Sequence, residues 1–122
     1  MANNFRTGRM GAEIQRILSN CLAREIKDTT LKENMISITA VDVTRDGSYA
    51  TVYFTAIPLG VQDEKNIDEL DAQIIDAFQR SKGFLKKAIA REMKLRHIPE
   101  LLFKKDISLE NGRHIDELIN SL

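Results

Sequence analysis

The side chains best suited to chemistry are the cations of the segment from Arg80 to Pro99, RSKGFLKKAIAREMKLRHIP. On a helix turning about 100° per residue, five of these cations share one half of the surface: Lys82, Lys86, Lys87, Arg91 and Lys94. The other half is apolar and is predicted to face the core through Phe84, Leu85, Ala88, Ile89 and Leu95. A row of cations on one helical face suits the phosphates of a nucleic acid. A lysine-rich face that only keeps a helix soluble is the alternative interpretation.

Charge is segregated along the chain although its formal net charge is zero. Residues 80–105 carry 9 basic and 2 acidic side chains, whereas residues 42–79 carry 2 basic and 8 acidic ones. Binding to a polyanion depends on the local field of one surface, not on the total charge. The neutral total therefore does not exclude nucleic acid.

No arrangement typical of catalysis stands out in the sequence. Cys21 is the single cysteine and falls on an apolar helical stripe, so we expect a buried small hydrophobe. His97 and His114 are far apart, and the chain has no phosphate-loop signature. We therefore expect no enzyme activity, no cofactor and no metal site. Carboxylates at Asp68 and Asp71 are interpreted as an acidic outer face.

The first half of the chain predicts a helix followed by a β-hairpin. Residues 1–11 are polar and are predicted to form a flexible arm ahead of a single domain spanning 12–122. The first helix is predicted from Ala12 to about Lys27, and a loop from Asp28 to Asn34. Strands are predicted over 35–44 and 49–57 around an Asp46-Gly47 turn signal. In the first strand, the apolar residues change from even positions to odd ones. A bulge near Ala40 would place both sets on the same face of the sheet.

The second half predicts two helices, a strand and a closing helix. Asn66 is the predicted N-cap of an acidic helix, and a bend at Gly83 leads into the basic helix, which ends before Pro99. Leu101 and Phe103 alternate in a third strand, and a short helix is predicted after Ser108. An open three-stranded sheet with helices over one face is the economical packing. The predicted core comprises Ala50, Val52, Phe54, Leu70, Ile74, Phe78, Leu85, Ile89, Leu101 and Phe103.

The chain resembles the ribosome-binding factor A family, bacterial factors that assist late assembly of the small ribosomal subunit. The resemblance is carried by short pieces in order: Arg6 and Arg9 before Ala12-Glu13-Ile14; Thr44-Arg45-Asp46, Ser48-Tyr49-Ala50 and Val52-Tyr53; Gly83-Phe84-Leu85; Leu95-Arg96; Pro99-Glu100-Leu101, Phe103 and Asp106; Ser108, Glu110, Gly112 and Ile115-Asp116-Glu117-Leu118. Two positions depart from the family pattern. Ser81 replaces the alanine of its Ala-x-Gly kink, and His114 stands where arginine is more usual.

The resemblance implies an α+β fold of the KH-like, type II kind, with a helix-kink-helix in place of the Gly-x-x-Gly loop. It also implies a part in maturing the 5′ end of the ribosomal RNA and in growth in the cold. A KH loop needs two glycines for close approach of the nucleic acid, and only Gly83 is present, so phosphate contacts and shape recognition are expected instead of base reading. Since Phe54, Phe78, Phe84 and Phe103 have core positions, we do not expect a base-stacking platform.

These observations together predict a non-enzymatic, cytoplasmic, monomeric factor whose partner is the immature small ribosomal subunit and its ribosomal RNA, with no membrane partner. The alternative is a protein-interaction module that uses the acidic helix or a sheet edge, and a small enzyme is a more distant one. The predicted RNA-binding residues are Arg6, Arg9, Arg45, Lys82, Gly83, Lys86, Lys87, Arg91, Lys94 and Arg96.

Overall fold

The computed structural model describes residues 2–57 and 64–107, with side chains described at 8–32, 34–56 and 68–107. In chain order, its elements are helix α1 (Ala2–Asn20), a π-helical turn (Cys21–Glu25), helix α2 (Thr29–Glu33), strands β1 (Met35–Val43) and β2 (Tyr49–Ile57), helix α3 (Glu64–Met93) and strand β3 (Glu100–Lys105). The predicted closing helix and His114 lie outside the described residues.

The first helix is longer than its apolar pattern predicted. It begins at Ala2, so residues 2–11 of the segment predicted as an arm are helical and residue 12 is not a helix boundary. No proline interrupts residues 2–11, and the two glycines there only lower helix propensity. The helix ends through the π-helical turn, in which the Ile26 N–H donates to the Cys21 carbonyl at 2.8 Å.

The loop predicted from Asp28 to Asn34 contains a short helix. Asp28 caps α2, because its carboxylate accepts a hydrogen bond from the Thr30 N–H at 3.0 Å. This satisfies one of the free N–H groups at the start of the helix. The loop prediction was wrong because an aspartate followed by two threonines is as typical of a helix start as of a turn.

The β-hairpin is confirmed, and so is its bulge. β1 and β2 pair antiparallel from Met35↔Ile57 to Val43↔Ala50, and the register shifts between Ile38 and Ala40. The bulge turns both Ile38 and Val41 inward, where each is buried. In the turn, Gly47 has a φ of 75°, which a glycine adopts without steric cost.

β3 completes a mixed sheet of order β1-β2-β3 by pairing parallel to β2. The central inward residues of β2 and β3 are buried, whereas Tyr49 and Leu102 on the opposite face are exposed. The predicted three-stranded sheet, covered by helices on one face, is therefore confirmed. The ten residues named as the predicted core pack in one cluster, with Leu70 at its partly buried margin.

The acidic and basic helices predicted on either side of Gly83 form one helix, α3, thirty residues long. Helical structure continues through Ser81-Lys82-Gly83, so the two-helix prediction was wrong. The helix begins at Glu64, and Asn66 lies within it instead of capping it. A single glycine costs a helix only about 1 kcal/mol, which the packing of Phe78 and Leu85 on either side easily offsets.

α1 packs closely on β1 at Gly11. A Cβ atom built on this buried residue would overlap the backbone carbonyl oxygen of Val41 and lie 3.9 Å from Cγ2 of Val43. Only a glycine lets the helix lie this close to the strand. Arg9, two residues earlier, lies on a different face of α1 and is exposed.

Candidate nucleic-acid interface

One edge of the cationic face on α3 is joined to the start of β3. Glu100 accepts from Lys82 Nζ at 3.0 Å through one carboxylate oxygen and from Lys86 Nζ at 3.3 Å through the other. Hydrogen bonds from these two lysines lower the pKa of Glu100, so its carboxylate is ionised at neutral pH. Two of the predicted RNA-binding cations are thus already paired within the protein.

The opposite edge of α3 is joined to the connection between α1 and α2. Arg91 lies 3.2 Å from a carboxylate oxygen of Glu25, and Arg80 lies 3.2 Å from one of Asp28. Burial by itself raises the pKa of Asp28, but hydrogen bonds from Arg80 and from the Thr30 N–H outweigh this effect and lower it. Arg80 was not among the predicted RNA-binding residues, although it extends the same cationic face.

Between these edges lies an exposed strip that contains Lys87 and Gly83. Within the described part of the chain, Lys87 forms no ion pair. Gly83 is exposed, and a Cβ atom there would meet nothing within 4 Å. Among the described residues, no close packing requires a glycine at position 83, and no ion pair explains a lysine at position 87.

The helix ends before the last two predicted cations. Lys94 follows α3 and has a φ of 50°, a left-handed conformation that costs a non-glycine residue roughly 1–2 kcal/mol. Its N–H donates to the Ala90 carbonyl at 3.3 Å, which closes the helix end. Lys94 and Arg96 are both exposed on the connection to β3. Lys94 therefore does not lie on the helical face that the sequence predicted for it, whereas Arg96 was expected beyond that face.

The hairpin turn lies at the same end of the sheet as Glu100. The Glu100 N–H donates to the Ser48 carbonyl at 2.8 Å. The turn, which carries the exposed Arg45, therefore lies next to the residue that pairs with Lys82 and Lys86. Arg9 is exposed and already takes part in an interaction. Arg6 lies farther toward the N-terminus of α1. The fold therefore brings Lys82, Lys86 and the turn together, as the sequence allowed but could not establish.

Two side chains near this face were not anticipated as parts of a site. Glu100 was quoted only as part of a family motif, yet it pairs with two of the lysines. Phe84 was predicted to be in the core, but 42% of it is exposed. Its position at the border of the apolar half of α3 was the available signal, because residues at such borders are buried only if a neighbouring element covers them.

Other kinds of site find little support in residues 2–57 and 64–107. No three His, Cys, Asp or Glu side chains in these ranges are grouped as metal ligands. Cys21 is buried as predicted, and burial raises the pKa of its thiol. Although α3 is thirty residues long, neither it nor any other helix described here is apolar enough to cross a membrane.

The chain is similar to known proteins over most of its length. Residues 6–119 match the model of the family described as ribosome-binding factor A. Ribosome-binding factor A of Fusobacterium nucleatum is 40% identical over 113 residues, which cover 93% of this chain and 92% of that protein.

A crystal structure and a fitted homology model share the fold. The crystal structure of ribosome-binding factor A from Thermus thermophilus has a TM-score of 0.63 at 24% identity and covers 81% of this chain and 93% of its own. A homology model of the Thermus thermophilus factor, fitted into a cryo-electron microscopy map of its complex with the 30S particle, has a TM-score of 0.58 at 22% identity and covers 80% of this chain and 91% of its own. The family match and the identity to a relative over nearly the whole chain show that this protein belongs to the ribosome-binding factor A family.

Proposed function

We propose that this protein is a non-enzymatic RNA-binding factor that docks on the ribosomal RNA of the immature small subunit and assists its late maturation. The proposed contact surface is the cationic face of α3 together with Arg45, Arg96 and the nearby part of α1. The Thermus thermophilus relative has been fitted into a map of a complex with the 30S particle, which supports the small subunit as the partner.

The observation that carries the proposal is the strip at Gly83 and Lys87. Ordinary solubility does not require a glycine in the middle of a helix, where it costs about 1 kcal/mol relative to alanine. Because a Cβ at Gly83 would meet no protein atom, the missing side chain leaves room for something else. A phosphate could lie against the bare backbone at Gly83 while Lys87, one turn later, neutralises its charge.

The helix dipole explains only part of the charge distribution. Carboxylates near the start of α3 and cations near its end are favoured by the dipole, but this effect falls off within the terminal turns. It therefore accounts for Arg91 in the last turn but not for Lys82, Lys86 and Lys87, which lie farther inside. A partner with phosphate groups accounts for all of them.

The proposed mechanism is a shift in population. A factor without catalytic groups favours one RNA arrangement only by binding it more tightly than the others. The paired lysines suit such a role, since Lys82 and Lys86 could exchange Glu100 for phosphates where the RNA geometry permits. Involvement in maturing the 5′ end and in growth in the cold belongs to the same proposal.

The test removes the charge of Lys87 alone. Lys87→Gln should weaken binding to isolated small subunits and to unrelated RNAs alike, and flatten the log-log dependence of affinity on salt by roughly 0.7 to 0.9, the value for one lost phosphate contact. The free energy of unfolding should not fall, because Lys87 is exposed and makes no described ion pair. Binding is measured by filter retention and by co-sedimentation over a range of salt concentrations.

Two controls define the result. Lys32→Gln removes the same charge from α2, where Lys32 lies in a cleft with residues of α1 and β1, and should leave binding unchanged. Asp68→Lys reverses an exposed charge on the acidic part of α3 and should not reduce association. Asp71 is less suitable because it pairs with Lys105 at 2.9 Å. If Asp68→Lys abolished association and Lys87→Gln did not, the protein-interaction module would replace RNA binding.

A further inference from the structure

The exposed ring of Phe84 lies in a cleft of about 530 Å³ between α3 and the connection from Glu25 to Asp28. Leaving an aromatic side chain 42% exposed forfeits part of the stabilisation that full burial would give it. The cleft is lined by Glu25, Ile26, Lys27, Asp28, Arg80, Ser81 and Phe84. The wall therefore combines apolar surface, such as that of Ile26 and Phe84, with charged and polar groups.

Two ion pairs lie near Phe84, one before it and one after it along α3. Arg80, one turn before Phe84 on α3, is paired with Asp28, and Arg91, two turns after it, is paired with Glu25. Both pairs join α3 to the opposite wall of the cleft. Phe84 therefore lies between two charged pairs along the helix.

Lys87 continues this surface toward the cationic face. It lies three residues after Phe84, and residues three or four apart are neighbours on a helix. An RNA strand that contacts Lys87 through a phosphate would therefore have its next nucleotide beside the ring. Ser81 adds a hydroxyl to the wall of the same cleft.

We propose that this cleft binds one unpaired nucleobase of a single-stranded RNA segment, stacked on Phe84, with the adjoining phosphates beside Arg80 and Lys87. The inference rests on the proposed RNA-binding function and adds base stacking to it. Aromatic rings surrounded by cations are the usual means of holding unstacked bases. The carboxylates of Glu25 and Asp28 can accept hydrogen bonds from the N–H groups on the edge of the base. The expectation that this chain has no stacking platform depended on placing Phe84 in the core.

The test compares Phe84→Leu and Phe84→Trp with the wild-type protein. Leucine keeps an apolar side chain but has no ring, and tryptophan keeps a ring. The probe is a short single-stranded RNA that contains 2-aminopurine, whose fluorescence is quenched when the base stacks. We expect Phe84→Leu to weaken binding roughly 5- to 150-fold, which corresponds to the loss of one base–aromatic stack. Quenching should be lost with the leucine variant and kept with the tryptophan variant.

The salt dependence separates this inference from the proposed function. Stacking releases no counterions, so Phe84→Leu should lower affinity equally at every salt concentration, whereas Lys87→Gln changes the slope. Unchanged affinity of Phe84→Leu, or unquenched fluorescence with saturating wild-type protein, would overturn the base site while leaving the phosphate contacts intact. A wild-type protein that binds no RNA would refute the proposed function itself. If Phe84→Leu bound the oligonucleotide normally but lost association with small subunits, the cleft would hold a protein side chain instead.

Discussion

The three glycines at positions 8, 11 and 83 provide a test of how α1 packs on the sheet, since all lie in helices but have different surroundings. A Cβ at Gly11 would overlap the Val41 carbonyl oxygen, whereas a Cβ at Gly8 or Gly83 would meet nothing within 4 Å. The same substitution by alanine should therefore have opposite effects on the free energy of unfolding.

The magnitude follows from two opposing effects. Alanine raises helix propensity by about 0.8–1 kcal/mol relative to glycine. At Gly11 the obstacle is the backbone of a strand that is hydrogen-bonded to β2, so it cannot rotate away as a side chain would. Overpacking of this kind costs about 1–3 kcal/mol, and a backbone obstacle places it in the upper part of that range. Gly11→Ala should therefore lose about 1–2 kcal/mol, while Gly83→Ala should gain about 0.5–1 kcal/mol.

The measurement is urea denaturation followed by circular dichroism. The urea concentration at the unfolding midpoint is compared among the three variants, provided that the dependence of the unfolding free energy on urea is the same for each. Gly83→Ala is the matched control because it lies inside a helix, and Gly8→Ala is a second control nearer a helix end. A Gly11→Ala protein as stable as the wild type would refute the close approach of α1 to β1.

Two further predictions concern the core and the paired lysines. Phe103→Ala should cost roughly 3–5 kcal/mol, because the ring is buried and stacks on Phe78 with centroids 4.8 Å apart; a near-neutral result in urea denaturation would contradict the position of β3. Glu100→Gln should strengthen RNA binding and steepen its salt dependence by freeing Lys82 and Lys86, and unchanged binding would show that neither lysine contacts RNA. Because the folded state lowers the pKa of Glu100, its contribution to stability is present above the ordinary glutamate pKa of about 4.3 and is lost as the pH falls through the lowered value. The stability difference between the wild type and Glu100→Gln should accordingly exist at neutral pH and disappear in acid, and a difference that persisted in acid would argue against the ion pairs.

The sequence by itself predicted the elements whose signals are local. The hairpin, its turn at Asp46-Gly47 and the bulge near Ala40 all follow from alternation and turn chemistry within a few residues, and all are confirmed. The apolar periodicity likewise identified the buried faces around Ile74, Phe78 and Ile89. Such patterns are readable because each side chain's direction is set by the period of its own element.

The sequence predicted the lengths of the helices less well. Residues 1–11 were interpreted as an arm and the phase change at Gly83 as a bend between two helices, but α1 includes residues 2–11 and α3 continues through Gly83. Weak local preferences of about 1 kcal/mol do not end a helix when tertiary packing on either side stabilises it.

Only the tertiary structure decided the details of the candidate site. Glu100 is far from Lys82 along the chain, and Glu25 is farther still from Arg91, yet each pair is in contact. Local periodicity places a cation on a face but does not say which carboxylate the fold brings opposite to it. The same holds for Phe84, whose exposure depends on whether the Glu25–Asp28 connection covers the ring or leaves a cleft beside it. Contacts between elements distant in sequence are set by how those elements pack, and for that reason they determine which cations of α3 are paired and which are free to bind a partner.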